Sequence, residues 1–213
     1  MKVDCHCHIL PGLDDGAKTL EDSVFLAGKL VEWGYERAIC TSHSSYLYRN
    51  TPATVTAACE LLRTELVKRG INLELIPSME YRLIPETWPD VTYNDWLLPW
   101  EGNHILIELP INDPTRMENI DPLSQARWLI EKGYQPVLAH PERYLYLRTD
   151  DYAAFKEADI QFQRNLGSIE GMYGDEVKAR AEALQSNGMY DWLGSDLHNR
   201  QYAAFFDKYV FGG

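Results

Sequence analysis

No segment of the sequence approaches the roughly 18 to 20 consecutive apolar residues that a membrane-spanning helix requires, so direct insertion in a membrane is not expected. The opening MKVDCHCHIL lacks a basic stretch leading into a long apolar core, and with candidate site residues starting at position 6 there is no room for a removable leader. A cytoplasmic location is the expectation. Cysteine is scarce: Cys5, Cys7, Cys40 and Cys59 have neither the density nor the spacing of a disulfide scaffold. The run Cys5-His6-Cys7-His8 invites a zinc-knuckle reading, but alternate residues of a strand face opposite sides, so all four cannot converge on one ion. The thiols read instead as small buried apolar residues. Basic residues are also few, 20 Lys and Arg against 32 Asp and Glu for a net charge of −12. No basic stripe is available to displace counterions, which argues against a nucleic-acid partner. Internal repeats, low-complexity tracts and linkers are absent.

What is present is an ordinary globular composition, 45% hydrophobic and 24% charged over 213 residues, enough for one domain with a sizeable core. Short apolar runs alternate with amphipathic stretches. Lys2 to Leu10 reads as a strand; Thr19 to Asp22 is a capping-box signature opening a helix with Leu20, Val24, Ala27 and Val31 on one face and Gly34 as its stop. Arg37 to Ser42 is a second strand, and Thr51-Pro52 supplies an N-cap and first-turn proline for a helix striped by Val55, Cys59, Leu62 and Leu66. Strands follow at Leu73 to Met79, Ile105 to Leu109, Pro136 to Ala139, Ile160 to Asn165 and Tyr190 to Gly194. Helices are expected from Asp121 to near Gly133, Tyr152 to Ala158, Asp175 to Ser186 and Asn199 to Tyr209. Seven strand–helix units in a chain of this size favour a (β/α) barrel, with an open doubly wound sheet as the alternative.

Tyr81 to Asn103 breaks the rhythm with Trp88, Trp96, Trp100 and three prolines. Long connections are uncommon in compact domains and often functional. These tryptophans are expected to plug one end of the barrel rather than to contact substrate.

Of the six histidines, His6, His8, His43, His140 and His198 fall at the C-terminal ends of predicted strands, where parallel barrels build their active sites. One such histidine would ordinarily be a satisfied core residue; five at matching positions point to a site. Carboxylates accompany them. Glu80 ends the third strand, and Glu108 lies inside the apolar run Ile105 to Leu109, where a charge is costly unless paired or bound to a cation. Asp196 and His198 repeat the His6/His8 spacing, and Asp14-Asp15-Gly16 follows the first strand. Imidazole and carboxylate donors without thiolate suit Mn²⁺, Fe or Zn²⁺, and their number exceeds one coordination sphere, so two or three divalent ions are expected, Mn²⁺ foremost. Clustered metals suit in-line displacement at phosphorus. Arg143, in His140-Pro141-Glu142-Arg143, stands one loop turn from a ligand and could grip phosphate oxygens with two parallel hydrogen bonds.

The order HxH, DDG, SH, ME, IEL, HPER, SDLH from residue 6 to 199 resembles the PHP (polymerase and histidinol phosphatase) superfamily, and the opening HCHILPGLDDGAKTLEDS is similar to its bacterial tyrosine-phosphatase branch, encoded with capsule and exopolysaccharide genes. The resemblance implies a distorted (β/α)₇ barrel forming a single domain over residues 1–213. It implies metal ligands at His6, His8, Asp15, His43, Glu80, Glu108, His140, Asp196 and His198, and a phosphate-holding arginine at Arg143. It further implies hydrolysis of phosphotyrosine by a metal-bound hydroxide without a cysteine nucleophile, on the tyrosine-rich tail of a cognate bacterial tyrosine kinase that regulates polysaccharide export. Relatives often carry a second arginine beyond the last histidine; here Arg200 is the substitute at that place, and His43 is followed by Ser-Ser instead of another histidine. A small-metabolite phosphatase, such as one for histidinol phosphate, and a non-catalytic metal-binding scaffold are the competing readings.

Overall fold

The computed structural model describes residues 2–111, 115 and 121–212. Seven parallel strands lie in chain order: β1 (Val3–Cys7), β2 (Arg37–Ser44), β3 (Glu74–Arg82), β4 (His104–Glu108), β5 (Gln135–Ala139), β6 (Gln161–Asn165) and β7 (Trp192–Gly194). Between and after them come α1 (Leu20–Glu32), α2 (Pro52–Arg69), α3 (Trp88–Asn94), α4 (Pro122–Glu131), α5 (Thr149–Glu157), α6 (Asp175–Ser186) and α7 (Arg200–Tyr209). The ends of the sheet meet just past β7, where Asp196 N donates to His6 O (2.7 Å), His8 N donates to Leu197 O (3.0 Å), and Cys7 bridges Leu197 in parallel. The result is a nearly closed barrel, and the open-sheet alternative falls away. That seam also explains why β1 stops at Cys7 although apolar residues continue to Leu10: the chain leaves its β2 partner and joins the far edge.

Local chemistry sets the helix boundaries. Thr19 accepts from Asp22 N to start α1; Thr51 and Thr54 cap each other's backbone at α2, which ends on Gly70 in the left-handed conformation. Asp121 caps α4 and Asn199 caps α7. Strand alternation then separates two apolar layers. Ala38, Cys40, Leu75, Ile105, Ile107 and Leu138 pack against the helices, while Ile39, Leu106, Val137 and Ala139 form an inner cluster with Cys5 and Trp100. A register shift between Asp4 and Cys7 marks a bulge in β1. Cys5 joins the inner cluster and Cys7 the outer one, so the two thiols do not converge.

The segment from Tyr81 to Asn103 is less irregular than its prolines suggest. β3 continues through Arg82, because Glu80, Tyr81 and Arg82 pair in register with Leu106, Ile107 and Glu108. α3 then forms from Trp88, whose ring meets Trp128 edge-on at 5.6 Å on the outside of the barrel. Only Trp100 acts as the expected plug: it is buried in the inner cluster, stacked on His104 at the start of β4 and edge-on to Trp192 at the start of β7. Among the described residues no helix is long and apolar enough to cross a membrane.

Candidate metal centre

At the opposite end of the barrel, imidazoles and carboxylates from six of the seven strands or their exits crowd one spot. His6 comes from β1 and His8 just follows it, His43 comes from β2, Glu80 from β3, Glu108 from β4, His140 follows β5, and Asp196 and His198 follow β7. Period-two alternation aims His43, Glu80, Arg82 and Glu108 inward, and the register places His43 beside Glu80 and Arg82 beside Glu108. His6, His8, Glu80, Glu108, His140 and Asp196 are all at most 2% exposed, so these charges cannot be attributed to a solvated surface. The donor atoms form four overlapping groups: His8, Asp15, His43 and His198; His6, His8 and Asp196; His6, Glu80 and His140; and His43, Glu80 and Glu108. All nine residues anticipated as ligands are therefore brought together. Asp15 is the exposed member, its carboxylate 3.3 Å from His43 Nε2 and 3.6 Å from His198 Nε2.

The surrounding hydrogen bonds settle which ring nitrogen faces inward. Gln163 Oε1 accepts from the backbone N of His140 (3.2 Å), so it must also accept from His6 Nδ1 (2.8 Å), leaving a lone pair on His6 Nε2. Asp14 accepts from His8 Nδ1 (2.9 Å), and the backbone carbonyl of Asp196 accepts from His198 Nδ1 (2.7 Å). In the neutral rings three Nε2 lone pairs thus point into the cluster, and those of His6 and His8 lie only 3.1 Å apart. Two lone pairs at that distance repel unless a proton or a cation lies between them. His43 Nδ1 and Glu80 Oε2 stand 2.9 Å apart but off the axis a hydrogen bond needs, and both, with His140 Nδ1, are buried without a hydrogen-bond partner. Orphaned buried polar atoms are rare and costly, and these three are nitrogen and oxygen donors of the kind divalent transition ions take. The residues fit a metal cluster.

Electrostatics agree. Burial alone would lower the His8 pKa, yet the Asp14 carboxylate overrides it and holds the imidazolium up to about 10. His6 and His43 are likewise raised against burial, chiefly by Glu80. In turn, burial would raise Glu80 and Asp196, but neighbouring imidazoles, joined at Asp196 by Arg143, hold both below the usual carboxylate range. Positive charge is what this pocket of carboxylates demands.

The backbone is bent to make the cluster. His140 and Asp196 adopt positive φ of 33° and 55°, unusual for residues with a Cβ and characteristic of functional sites. Two glycines permit close approach: a Cβ on Gly194 would lie 2.5 Å from His6 Cβ, and one on Gly16 would lie 2.0 Å from the His8 carbonyl. The loop bearing Arg143 is pinned by the buried Glu142, which accepts from Asn165 N, Ser168 Oγ and Tyr190 OH. Arg143 then donates from Nη1 to Asp196 Oδ2 (2.8 Å), with its guanidinium 4.4 Å from the Tyr173 ring centre.

A cavity of about 540 Å³ opens over the cluster, lined among others by Asp15, His140, Arg143, Tyr46, Ile111 and Tyr202. Arg200 does not line it. That side chain is exposed, donates to Asp22 Oδ1 (3.2 Å) and lies over the Phe25 ring at 3.9 Å. Of the tyrosines that follow His43 and Arg143 in the chain, Tyr46 lines the cavity and Tyr48 stacks on His43, whereas Tyr144 is fully buried and Tyr146 donates to Pro110 O. Sequence reasoning missed Arg82, Gln163, Tyr173 and Tyr202, and it set Asp14 aside in favour of Asp15 as the ligand of the pair Asp14-Asp15. Arg82 was legible in principle, two residues past Glu80 and hence on the same inward face; Gln163 lies two residues before the end of β6.

The sequence matches the family described as capsular polysaccharide synthesis, CpsB/CapC, over residues 2–204. It is 33% identical over 201 residues to the tyrosine-protein phosphatase YwqE of Bacillus subtilis, covering 92% of this chain and 77% of YwqE. It is 25% identical over 217 residues to the tyrosine-protein phosphatase CpsB of Streptococcus pneumoniae, covering 92% and 83%. A crystal structure from work on YwqE and CpsB, described as unique metal-dependent tyrosine phosphatases, superposes with a TM-score of 0.82 at 32% identity, over 99% of this chain and 88% of that one. An amidohydrolase from Mycoplasma synoviae shares the fold alone, at a TM-score of 0.58 and 12% identity over 98% and 80% of the two chains. The family match spans nearly every described element and agrees with the motif order running from His6 to Asn199, and the protein belongs to the capsular polysaccharide synthesis CpsB/CapC family.

Proposed function

We propose that the protein is a metal-dependent phosphatase that hydrolyses phosphotyrosine in a flexible protein segment, with the tail of a bacterial tyrosine kinase regulating polysaccharide export as its substrate and the cytoplasm as its place of action. The observation that carries this reading is the coupling of a nine-residue donor cluster, buried except at Asp15 and His198, to Arg143 through Asp196 at the floor of one cavity. His6, His8, Asp15, His43, Glu80, Glu108, His140, Asp196 and His198 would hold two or three divalent ions, Mn²⁺ foremost. Bound there, the ions would lower the pKa of water and offset charge on phosphoryl oxygens.

The chain's own residues supply the rest. Asp14 and Gln163 fix the tautomers of His8 and His6, keeping the Nε2 lone pairs directed inward. Arg143, restrained by Asp196 and Tyr173, offers a planar fork matched to two phosphoryl oxygens. Neither feature distinguishes phosphotyrosine from other phosphomonoesters. Discrimination comes from depth and walls: the cluster is buried, and Tyr46, Pro110, Ile111 and Tyr202 line the cavity above it, where a flat aromatic ring can pack. A phosphotyrosine carries its phosphate further from the backbone than phosphoserine, and its phenolate, with a parent pKa of about 10, is the better leaving group.

The test is kcat/KM on a phosphotyrosine peptide, the matching phosphoserine peptide and histidinol phosphate, with Mn²⁺ present. Phosphotyrosine should lead. Histidinol phosphate ahead by tenfold, about 1.4 kcal/mol, would overturn the protein-phosphatase reading and leave a metal-dependent phosphoesterase of small metabolites.

A further inference from the structure

Arg143 and Arg82 are held in the same way. Arg143 binds Asp196 Oδ2, while the other oxygen of that carboxylate, Oδ1, faces His6 Nε2 at 3.3 Å and His8 Nε2 at 3.5 Å. Arg82 binds Glu108 Oε2 through both Nε and Nη2 at 2.6 Å, while Oε1 faces His140 Nε2 at 3.8 Å. Each arginine thus takes one oxygen of a carboxylate whose other oxygen faces the histidine cluster. Both arginine side chains are partly exposed, 19% for Arg143 and 27% for Arg82, and both line the cavity over the cluster. The bonds to Glu108 do not use Nη1 of Arg82. Its position is also built rather than incidental: Arg82 is the last residue of β3, paired in register with Glu108 on β4. Arg200, by contrast, is turned to Asp22 and Phe25 and does not line the cavity.

We propose that Arg82 is the second arginine to contact the phosphoryl group, so that the substrate's phosphate is held between Arg82, reached from β3, and Arg143, reached from the loop after β5. This rests on the reading above that the cavity takes a phosphate monoester. Two guanidiniums anchored to different carboxylates approach a tetrahedral phosphate from different segments of the barrel, and each meets its oxygens with charge-assisted bonds. The anchoring matters because an arginine fixed before substrate arrives loses less side-chain entropy on binding than a mobile one.

The competing role for Arg82 is purely positional, to orient Glu108 and offset its charge. Inorganic phosphate as a competitive inhibitor of the metal-loaded protein separates the two, with bound metal measured on the same samples. Arg82→Ala should weaken phosphate about 10- to 100-fold, the scale of one charge-assisted hydrogen bond, with metal content unchanged. Arg82→Lys keeps the charge beside Glu108 but not the planar fork, and should retain metal while losing most of the phosphate affinity. Arg143→Ala should lose affinity on a similar scale, and Arg200→Ala far less than either. Unchanged phosphate inhibition in Arg82→Ala overturns the inference. So does a fall in metal content parallel to the fall in phosphate affinity in both Arg82 variants, which would make Arg82 a support for Glu108. For a protein inert toward phosphotyrosine, phosphate binding is read directly by calorimetry; dependence on Arg82 there supports the inference and overturns the tyrosine-phosphatase reading alone.

Discussion

The two ends of this barrel are built on opposite principles. At the end where the strands begin, Trp100 closes the interior against Leu106, Val137 and Ile39, its ring flanked by His104 and Trp192. At the end where the strands finish, the interior holds imidazoles and carboxylates, two of them on positive-φ backbone. The first arrangement lowers the free energy of the fold through apolar burial. The second raises it, because close lone pairs and buried carboxylates are tolerated only when the rest of the barrel holds them. The same sheet carries both, since alternation puts one side chain in two inside the barrel, and position along the strand decides whether it lands in the apolar layer or in the cluster. The contrast separates apolar packing from candidate metal-ligating donors along the barrel axis, the division that parallel barrels make generally between stability and active sites.

That division can be broken from either end. The largest effect is expected at Asp196, which faces His6, His8, His198 and Arg143 at once. Asp196→Ala should reduce kcat roughly 10³-fold or more, the upper scale for removing one preorganised electrostatic group, while circular dichroism and thermal unfolding still report a folded barrel. Near-normal turnover in that variant would remove the cluster from the chemistry. Trp100→Ala should do the reverse, costing about 3–5 kcal/mol of stability in denaturant titration, with activity per folded molecule kept within a few-fold; a selective loss of turnover at unchanged stability would erase the distinction between the two ends. The smallest change should come from Asp14→Asn, which keeps the size of the side chain that receives His8 Nδ1, Gly16 N and His43 N. Loss of this outer support is expected to weaken metal binding or activity about 10- to 100-fold, read by titrating Mn²⁺ into the metal-free protein. An effect as large as that of Asp196→Ala would make Asp14 a ligand in place of its neighbour Asp15.

Much of the cluster was legible in the sequence because its members sit at strand ends and share strand alternation. His6/His8 and Asp196/His198 declare a common face by their spacing, and Glu108 stands out as a charge inside an apolar run. What escaped were residues whose role depends on a partner far away in sequence. Gln163 matters because its amide oxygen joins His6 to the backbone of His140, and Arg82 because β3 runs three residues further than its apolar run and sets it beside Glu108. Arg200 shows the converse: its place after His198 matched a pattern, but the cap at Asn199 starts α7 and carries the side chain to Asp22. Tyr144 and Tyr146 were likewise near Arg143 in sequence, yet the loop turns both into the protein.

The sequence by itself determined the alternation of strands and helices, most helix caps and the identity of the inward-facing donors. These follow from local rules: the 3.6- and 2-residue periods, the hydrogen-bonding needs of helix ends, and the cost of placing a charge among apolar neighbours. Only the tertiary structure decided that the sheet closes, which tautomers His6, His8 and His198 adopt, and which arginines reach the cavity. Those outcomes depend on distances between segments up to about 190 residues apart in the chain, from His6 to Asp196, and a hydrogen bond or an ion pair is set by separation in space rather than by order in sequence.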